Sequence, residues 1–224
     1  MSKAAVSKPI GRRAAATRER ERRRFRRRVW GVARRAGMVF GAVALAALLV
    51  YAYRASSAKP GASPDMLSKP APDFTLPAAA DGREVKLADL LGKKNVLLFF
   101  NEGYGCDPCW QQTAALQEDL AVFAAMDTEV YAVMVDSPSL INKEAPRWRL
   151  KSLPILVDES RRVSRSYDAL GGMHPDKPDH KFVLIGKNGL ILWAADYPSM
   201  WVDKEVVIGQ VRSLVQPQAG STAP

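Results

Sequence analysis

The sequence contains few cysteines and few histidines. Its 224 residues include two cysteines, Cys106 and Cys109, and two histidines, His174 and His180. A small secreted domain stapled by disulfides needs more cysteine pairs, and more widely spaced ones. A structural zinc site needs four ligands, and the chain has no second cysteine pair to supply them. We therefore interpret the two cysteines, three positions apart, as a redox pair.

The body of the chain also lacks an excess of positive charge. Residues 1–36 hold 14 of the 33 Lys and Arg and 2 of the 23 Asp and Glu, a net charge of +12, whereas residues 37–224 carry −2. The basic arm has no recognisable motif that reads bases, so we expect no nucleic-acid partner. The favoured interpretation is a topology signal that attracts anionic lipid.

One uncharged run follows the arm and stops at Arg54. Residues 36–53 contain no charged residue, and at 1.5 Å per residue a helix over them would be about 27 Å long, close to the thickness of a bilayer core. The alternatives are a cleaved signal peptide and a buried core helix. We predict a single-pass transmembrane helix that lies in the lipid bilayer of the cell membrane. By the positive-inside rule, the arm (1–35) is then cytoplasmic and the remainder extracytoplasmic.

The rest of the chain divides into a linker (54–70), a folded domain (71–217) and a disordered tail (218–224). Within the domain, apolar runs of strand type alternate with stretches of helical spacing. The predicted strands and hairpins cover 73–87, 95–100, 129–136, 154–157, 181–185 and 190–193, and the predicted helices cover 107–125, 138–150, 159–169 and 203–215. This order predicts an α/β fold.

The motif Cys106-Asp107-Pro108-Cys109 lies where a predicted strand passes into a predicted helix. A helix N-terminus offers free N–H groups and the positive end of the helix dipole, and both stabilise a thiolate. We predict Cys106 as the exposed nucleophile and Cys109 as the resolving cysteine. Pro108 suits the first helical turn, where a missing N–H costs little. The charge of Asp107 disfavours a thiolate, so we expect Asp107 to move the pair toward the reducing side.

Several stretches together resemble the redoxin group of thioredoxin-fold proteins, which includes the alkyl hydroperoxide reductase/thiol-specific antioxidant (AhpC/TSA) proteins. Within it, the likeness is greatest to the membrane-anchored TlpA type. The resemblance rests on residues 71–76, 87–93, 95–101, 106–109 and 182–191. It implies a thioredoxin-like fold, a central mixed sheet flanked by helices, with the redox centre at the Cys106 end.

The sequence departs from the AhpC/TSA peroxidases around the cysteines. Those proteins surround the peroxide-reactive cysteine with a Pro-x-x-x-Thr-x-x-Cys pattern. Counted back from Cys106, the Pro and Thr positions hold Phe99 and Gly103; counted back from Cys109, they hold Glu102 and Cys106. An arginine that those peroxidases carry before the late strand is also missing.

Two further site residues follow from the resemblance to thioredoxin-like reductases. These proteins place a cis-proline before the late strand, facing the dithiol. Pro178 is the candidate and Pro175 the second choice, although Pro178 lies one residue farther from the strand than is usual. The buried acid of thioredoxin is replaced by Phe100, and Glu102 is the candidate proton acceptor in its place.

The resemblance also raises a copper site. His174 and His180 lie in the loop before the late strand, which faces the dithiol in a thioredoxin fold. Sco-type copper chaperones use two cysteines and one histidine, and thiolates with imidazole suit copper. Their motif, however, is Cys-x-x-x-Cys, one residue longer than here, and a histidine in a polar loop is more often solvated. We therefore assign no metal and no cofactor.

These observations predict a membrane-anchored, extracytoplasmic thiol–disulfide oxidoreductase that exchanges the Cys106–Cys109 dithiol with protein thiols. Such an enzyme needs protein thiol or disulfide substrates and a membrane thiol carrier for its electrons. The first alternative is an antioxidant thiol peroxidase of the AhpC/TSA type that uses Cys106. The second alternative is a Sco-like copper chaperone.

Overall fold

The computed structural model describes residues 38, 41, 43–48, 61–172 and 174–216, and the chain divides into two compact units, 1–57 and 58–224. In the first unit the described residues are helical. Most of the predicted transmembrane segment, and all of the predicted arm and tail, lie outside the described residues. Within the described part of the chain, no helix is both long and apolar enough to cross a membrane. The predicted location and domain boundaries stay predictions.

The second unit contains eight described strands and six described α-helices. The strands are β1 (Gly61–Ala62), β2 (Thr75–Pro77), β3 (Glu84–Lys86), β4 (Asn95–Phe100), β5 (Thr128–Met134), β6 (Ile155–Val157), β7 (Lys181–Ile185) and β8 (Ile191–Asp196). The helices are α1 (Leu87–Leu90), α2 (Asp107–Glu118), α3 (Leu120–Ala124), α4 (Pro138–Glu144), α5 (Arg162–Ser166) and α6 (Lys204–Val215). Short 3₁₀ helices cover Pro64–Met66 and Ala145–Trp148.

Six strands form one mixed sheet in the order β1-β8-β7-β4-β5-β6. Strands β4, β5 and β6 are parallel, as expected for strands joined by helical crossovers, whereas β7, β8 and β1 run antiparallel to their neighbours. β2 and β3 form a separate antiparallel hairpin. The predicted α/β architecture with a central mixed sheet is therefore confirmed.

The central strand β4 is buried on both faces of the sheet. All six of its residues are buried, so its sequence reads as a continuous apolar run rather than an alternation. Leu97 and Phe99 belong to a core that includes residues of α2, α3 and α6. Leu98 and Phe100 belong to a second core, which includes residues of the β2–β3 hairpin and α5. Because β4 contributes to both cores, the loop that follows it starts from a strand that is packed on both faces.

Most predicted elements match the structure, with differences at their ends. The hairpin turn before β3 contains Gly82 at φ +72°, as the Asp-Gly pair indicates. The predicted helix over 107–125 is divided at Asp119, which ends α2 and precedes α3 with non-helical dihedral angles. The predicted helix over 138–150 becomes α4 followed by a 3₁₀ turn, with Pro146 inside that turn.

Candidate active site

The two cysteines lie at the start of α2, where the sequence places them. Cys106 is the N-cap residue, and its Sγ accepts a hydrogen bond from the Cys109 N–H at 3.2 Å. The two sulfurs form a disulfide. Cys106 is 6% exposed and Cys109 is fully buried, so the cysteine predicted to be exposed is itself buried, although it is the more accessible residue of the two. After reduction, a Cys106 thiolate would keep this N–H donor and the positive end of the helix dipole.

The loop that carries Cys106, residues 101–106, is held by one hydrogen bond within the loop and by two hydrogen bonds to residues outside it. The Gly103 N–H donates to Asn101 Oδ1 at 3.1 Å, and the Tyr104 N–H donates to Asp136 Oδ2 at 2.7 Å. Lys177 Nζ donates to the Tyr104 carbonyl. We call residues 101–106 the redox loop. Its contacts with Asp136 and Lys177 fix the position of Cys106 relative to the sheet.

Asp107 and Pro108 occupy the first turn of α2 and are exposed. Asp107 is thus an exposed acidic residue next to Cys106 in the sequence. Glu102 is buried, with Oε2 3.7 Å from Nε2 of the half-exposed His174. Among the described residues, no hydrogen-bond partner reaches Glu102 Oε1. Whether Glu102 acts as a proton acceptor stays a prediction.

Pro178 is buried and forms an isolated antiparallel bridge with Leu170. Its preceding peptide bond is trans, as are the other peptide bonds of the described residues. Pro178 thus does not provide the cis geometry that the likeness to thioredoxin-like reductases implies.

His180 is the histidine that reaches the cysteines. It is 1% exposed, and its Nδ1 lies 3.9 Å from Cys109 Sγ. The ring packs edge-on against Phe99, with the ring centres 4.6 Å apart. Burial lowers the pKa of His180 to about 3, so the ring is neutral near pH 7. The sequence places His180 in a polar loop, but the structure places it in the core.

Two residues near the cysteines differ from the sequence prediction: Asp136 was not singled out, and His180 was expected to be solvated. The sequence contains an indication of the position of each. Asp136 follows β5, which is parallel to β4, so both strands end at the same edge of the sheet. His180 and Phe182 are two residues apart and therefore lie on one face of the extended chain. Since Phe182 stacks on Phe99, this spacing indicates that His180 also faces the core.

A copper site finds no support here. Among the described residues, no cluster of three or more His, Cys, Asp or Glu side chains could hold a metal ion. His180 lines a mostly apolar cavity of about 380 Å³. Its lining residues are Gly172, Asp179, His180, Asp196, Tyr197, Pro198 and Met200.

A mixed sheet with a disulfide at the N-terminus of the helix after its central strand defines a thioredoxin-like oxidoreductase. The AhpC/TSA family matches residues 67–194, and the chain belongs to this family of oxidoreductases. Peroxiredoxin-2 of Cricetulus griseus is 36% identical over 112 residues, which cover 46% of this chain and 56% of the relative. The chain thus spans little more than half the length of the curated relatives it matches.

Solved structures agree with this assignment. The reduced 2-Cys peroxiredoxin of Plasmodium vivax is 25% identical, with a TM-score of 0.58, over 66% of this chain and 95% of that one. The AhpC of Enterococcus faecalis gives a TM-score of 0.61 over 71% of this chain and 99% of that one, at 18% identity. The second likeness supports the fold alone.

The main functional prediction from the sequence, membrane-anchored disulfide exchange with protein thiols, is wrong. The similar proteins are peroxiredoxins, which favours the peroxidase alternative. The comparisons also give no support for a membrane thiol carrier or a bilayer partner. The peroxidase alternative was disfavoured by Phe99 and Gly103 at the Pro and Thr positions, and the match of residues 67–194 to the family overrides that local departure.

Proposed function

We propose that this protein is a thiol peroxidase in which Cys106 reacts with peroxide and Cys109 resolves the product. In the first step the Cys106 thiolate attacks the O–O bond, which breaks to give a sulfenic acid on Cys106 and a hydroxide or alkoxide that takes a proton from solvent. Cys109 then displaces hydroxide from Cys106, which forms the disulfide. An external dithiol reduces that disulfide and becomes oxidised itself.

One observation carries this proposal: Cys106 caps α2, accepts the Cys109 N–H at 3.2 Å, and is already joined to Cys109. The capping geometry supports a reactive thiolate, and the disulfide is the product that the resolving step requires. Family membership supports peroxide as the oxidant. A protein dithiol of thioredoxin type is the reductant we infer, because the similar protein of Plasmodium yoelii bears the name thioredoxin peroxidase I.

The Pro and Thr positions of the family pattern set an expectation for the rate. They hold Phe99 and Gly103 when counted from Cys106, and neither side chain can donate a hydrogen bond to peroxide. Electrostatic stabilisation must then come from the α2 N-terminus and from nearby backbone N–H groups. We therefore expect peroxide reduction that depends on Cys106 but is slower than in enzymes with the complete pattern.

The test is consumption of hydrogen peroxide by the 61–216 fragment, with dithiothreitol as the reductant. Cys106→Ser should abolish consumption. Cys109→Ser should keep the first step and accumulate a sulfenic acid, which dimedone traps and mass spectrometry detects. Consumption that is equal in the wild-type protein and in Cys106→Ser would refute the proposal.

A further inference from the structure

The imidazole of His180 lies next to Cys109 Sγ, the sulfur that closes the disulfide. Its Nδ1 is 3.9 Å from Cys109 Sγ, at the outer range for a hydrogen bond to sulfur. Among the described residues, its Nε2 is buried and has no hydrogen-bond partner. The cysteine sulfur is thus the polar contact of this ring, in a core where buried polar groups are normally satisfied.

The surrounding residues hold the ring in this position. Phe99 packs edge-on against it, and the ring of Phe182 lies with its centre 5.9 Å away. On the backbone, the Tyr197 N–H donates to the His180 carbonyl at 2.8 Å. The ring is neutral in this environment, so one of its two nitrogens carries a lone pair that can accept a hydrogen bond from a thiol.

We propose that His180 accepts the proton of the Cys109 thiol as Cys109 closes the disulfide with Cys106. In the peroxidase cycle, on which this assignment of the step rests, the Cys109 S–H bond breaks and the S–S bond forms. The sulfenic hydroxyl of Cys106 leaves as hydroxide. The proton passes through Nδ1 of His180 and joins that hydroxide as water. The Cys106 sulfur is reduced and the Cys109 sulfur is oxidised, so electrons balance within the pair.

The burial of Cys109 gives the reason for such a group. The residue is fully buried, so bulk water does not reach its sulfur to take the proton. A thiol must lose its proton to act as a nucleophile. His180 is the basic side chain that the described residues place in contact with Cys109 Sγ.

The apolar cavity behind His180 makes a specific test available. His180 lines this cavity of about 380 Å³ and also contacts Cys109, so His180→Ala should open the cavity toward the sulfur. Imidazole added to the buffer is small enough to enter the enlarged space. It can then replace the missing side chain as a proton acceptor.

The closure step can be measured without peroxide. The reduced protein is mixed with dithiobis(nitrobenzoate): Cys106 forms a mixed disulfide and releases a first coloured thiolate, and Cys109 then closes the disulfide and releases the second. We expect His180→Ala and His180→Asn to slow the second release about a hundredfold and to leave the first unchanged. Imidazole should accelerate the second release in His180→Ala but not in the wild-type protein.

Trp193→Leu is the matched control. Trp193 stacks on Phe182 with ring centres 5.9 Å apart, so its removal disturbs the same aromatic cluster but spares His180. Its second release should match the wild-type rate. If His180→Ala does not fold, His180→Phe and His180→Asn carry the comparison.

Wild-type closure rates in the His180 variants, or slow rates in His180→Ala that imidazole does not change, would overturn the proposal. Failure of the peroxidase proposal would not affect this outcome, because the assay contains no peroxide.

Discussion

Replacing Gly103 by alanine tests whether the redox loop depends on its contact with Asp136. Gly103 has φ +69°, a conformation that costs an alanine about 1–2 kcal/mol. A Cβ at this position would lie 1.9 Å from Asp136 Oδ2, an impossible approach. Asp136 must therefore move, and its hydrogen bond from the Tyr104 N–H is lost.

The structure provides a matched control in the same loop. Gly105 also has positive φ, +95°, but nothing lies within 4 Å of a Cβ built on it. Gly105→Ala should therefore cost only the backbone strain, about 1–2 kcal/mol. Gly103→Ala adds the loss of a charge-assisted hydrogen bond, which we take as about 1–2 kcal/mol because Asp136 is only half-buried. We expect a total loss of about 2–4 kcal/mol.

Urea unfolding of the oxidised 61–216 fragment, followed by tryptophan fluorescence, measures these losses. A double variant, Asp136→Ala with Gly103→Ala, removes the obstacle as well as the partner. Its loss should be smaller than the sum of the two single losses, since both single variants break the same hydrogen bond. Equal losses for Gly103→Ala and Gly105→Ala, or full additivity in the double variant, would show that Asp136 does not hold the loop.

Two further predictions concern charge near the cysteines. Asp107→Gly removes a carboxylate that disfavours a thiolate, so the reduction potential of the Cys106–Cys109 pair, measured in glutathione buffers, should become less negative; an unchanged or more negative value would contradict this. The folded pKa of His180, about 3, lies below its unfolded value, 6.5, so the unfolded state binds the extra proton between these values. The free energy of unfolding should therefore fall as pH drops below about 6.5, by up to about 1.4 kcal/mol per pH unit, and this component should be absent in His180→Asn when urea titrations at several pH values are compared.

The elements of the domain are predictable because local signals agree with their environment. The apolar run at 95–100 can be recognised as a strand buried on both faces, and that is where β4 lies. The position of Cys106 at a helix start follows from the same reasoning. Asp119 carries no comparable signal, because it breaks the helix through its dihedral angles and not through a proline or glycine.

The surroundings of the cysteines are less predictable because they depend on contacts between distant segments. His180 lies 71 positions from Cys109, and Asp136 lies 32 positions from Tyr104. Hydrophilic neighbours in the sequence suggested a solvated His180, but the ring packs against Phe99 from a different strand. Burial by tertiary packing therefore decides the protonation state of His180.

The ring closed by the Cys106–Cys109 disulfide contains very few residues. Closing so short a loop removes little entropy from the unfolded chain, on the order of 2 kcal/mol. In the folded state, the capping N–H of Cys109 and the α2 dipole favour a thiolate over a disulfide sulfur. By thermodynamic linkage, any difference in unfolding free energy between the oxidised and reduced protein equals the shift that folding imposes on the disulfide equilibrium. A substitution that stabilises one redox state alone therefore changes the reduction potential of the pair, whereas one that stabilises both states equally raises the stability and leaves the potential unchanged.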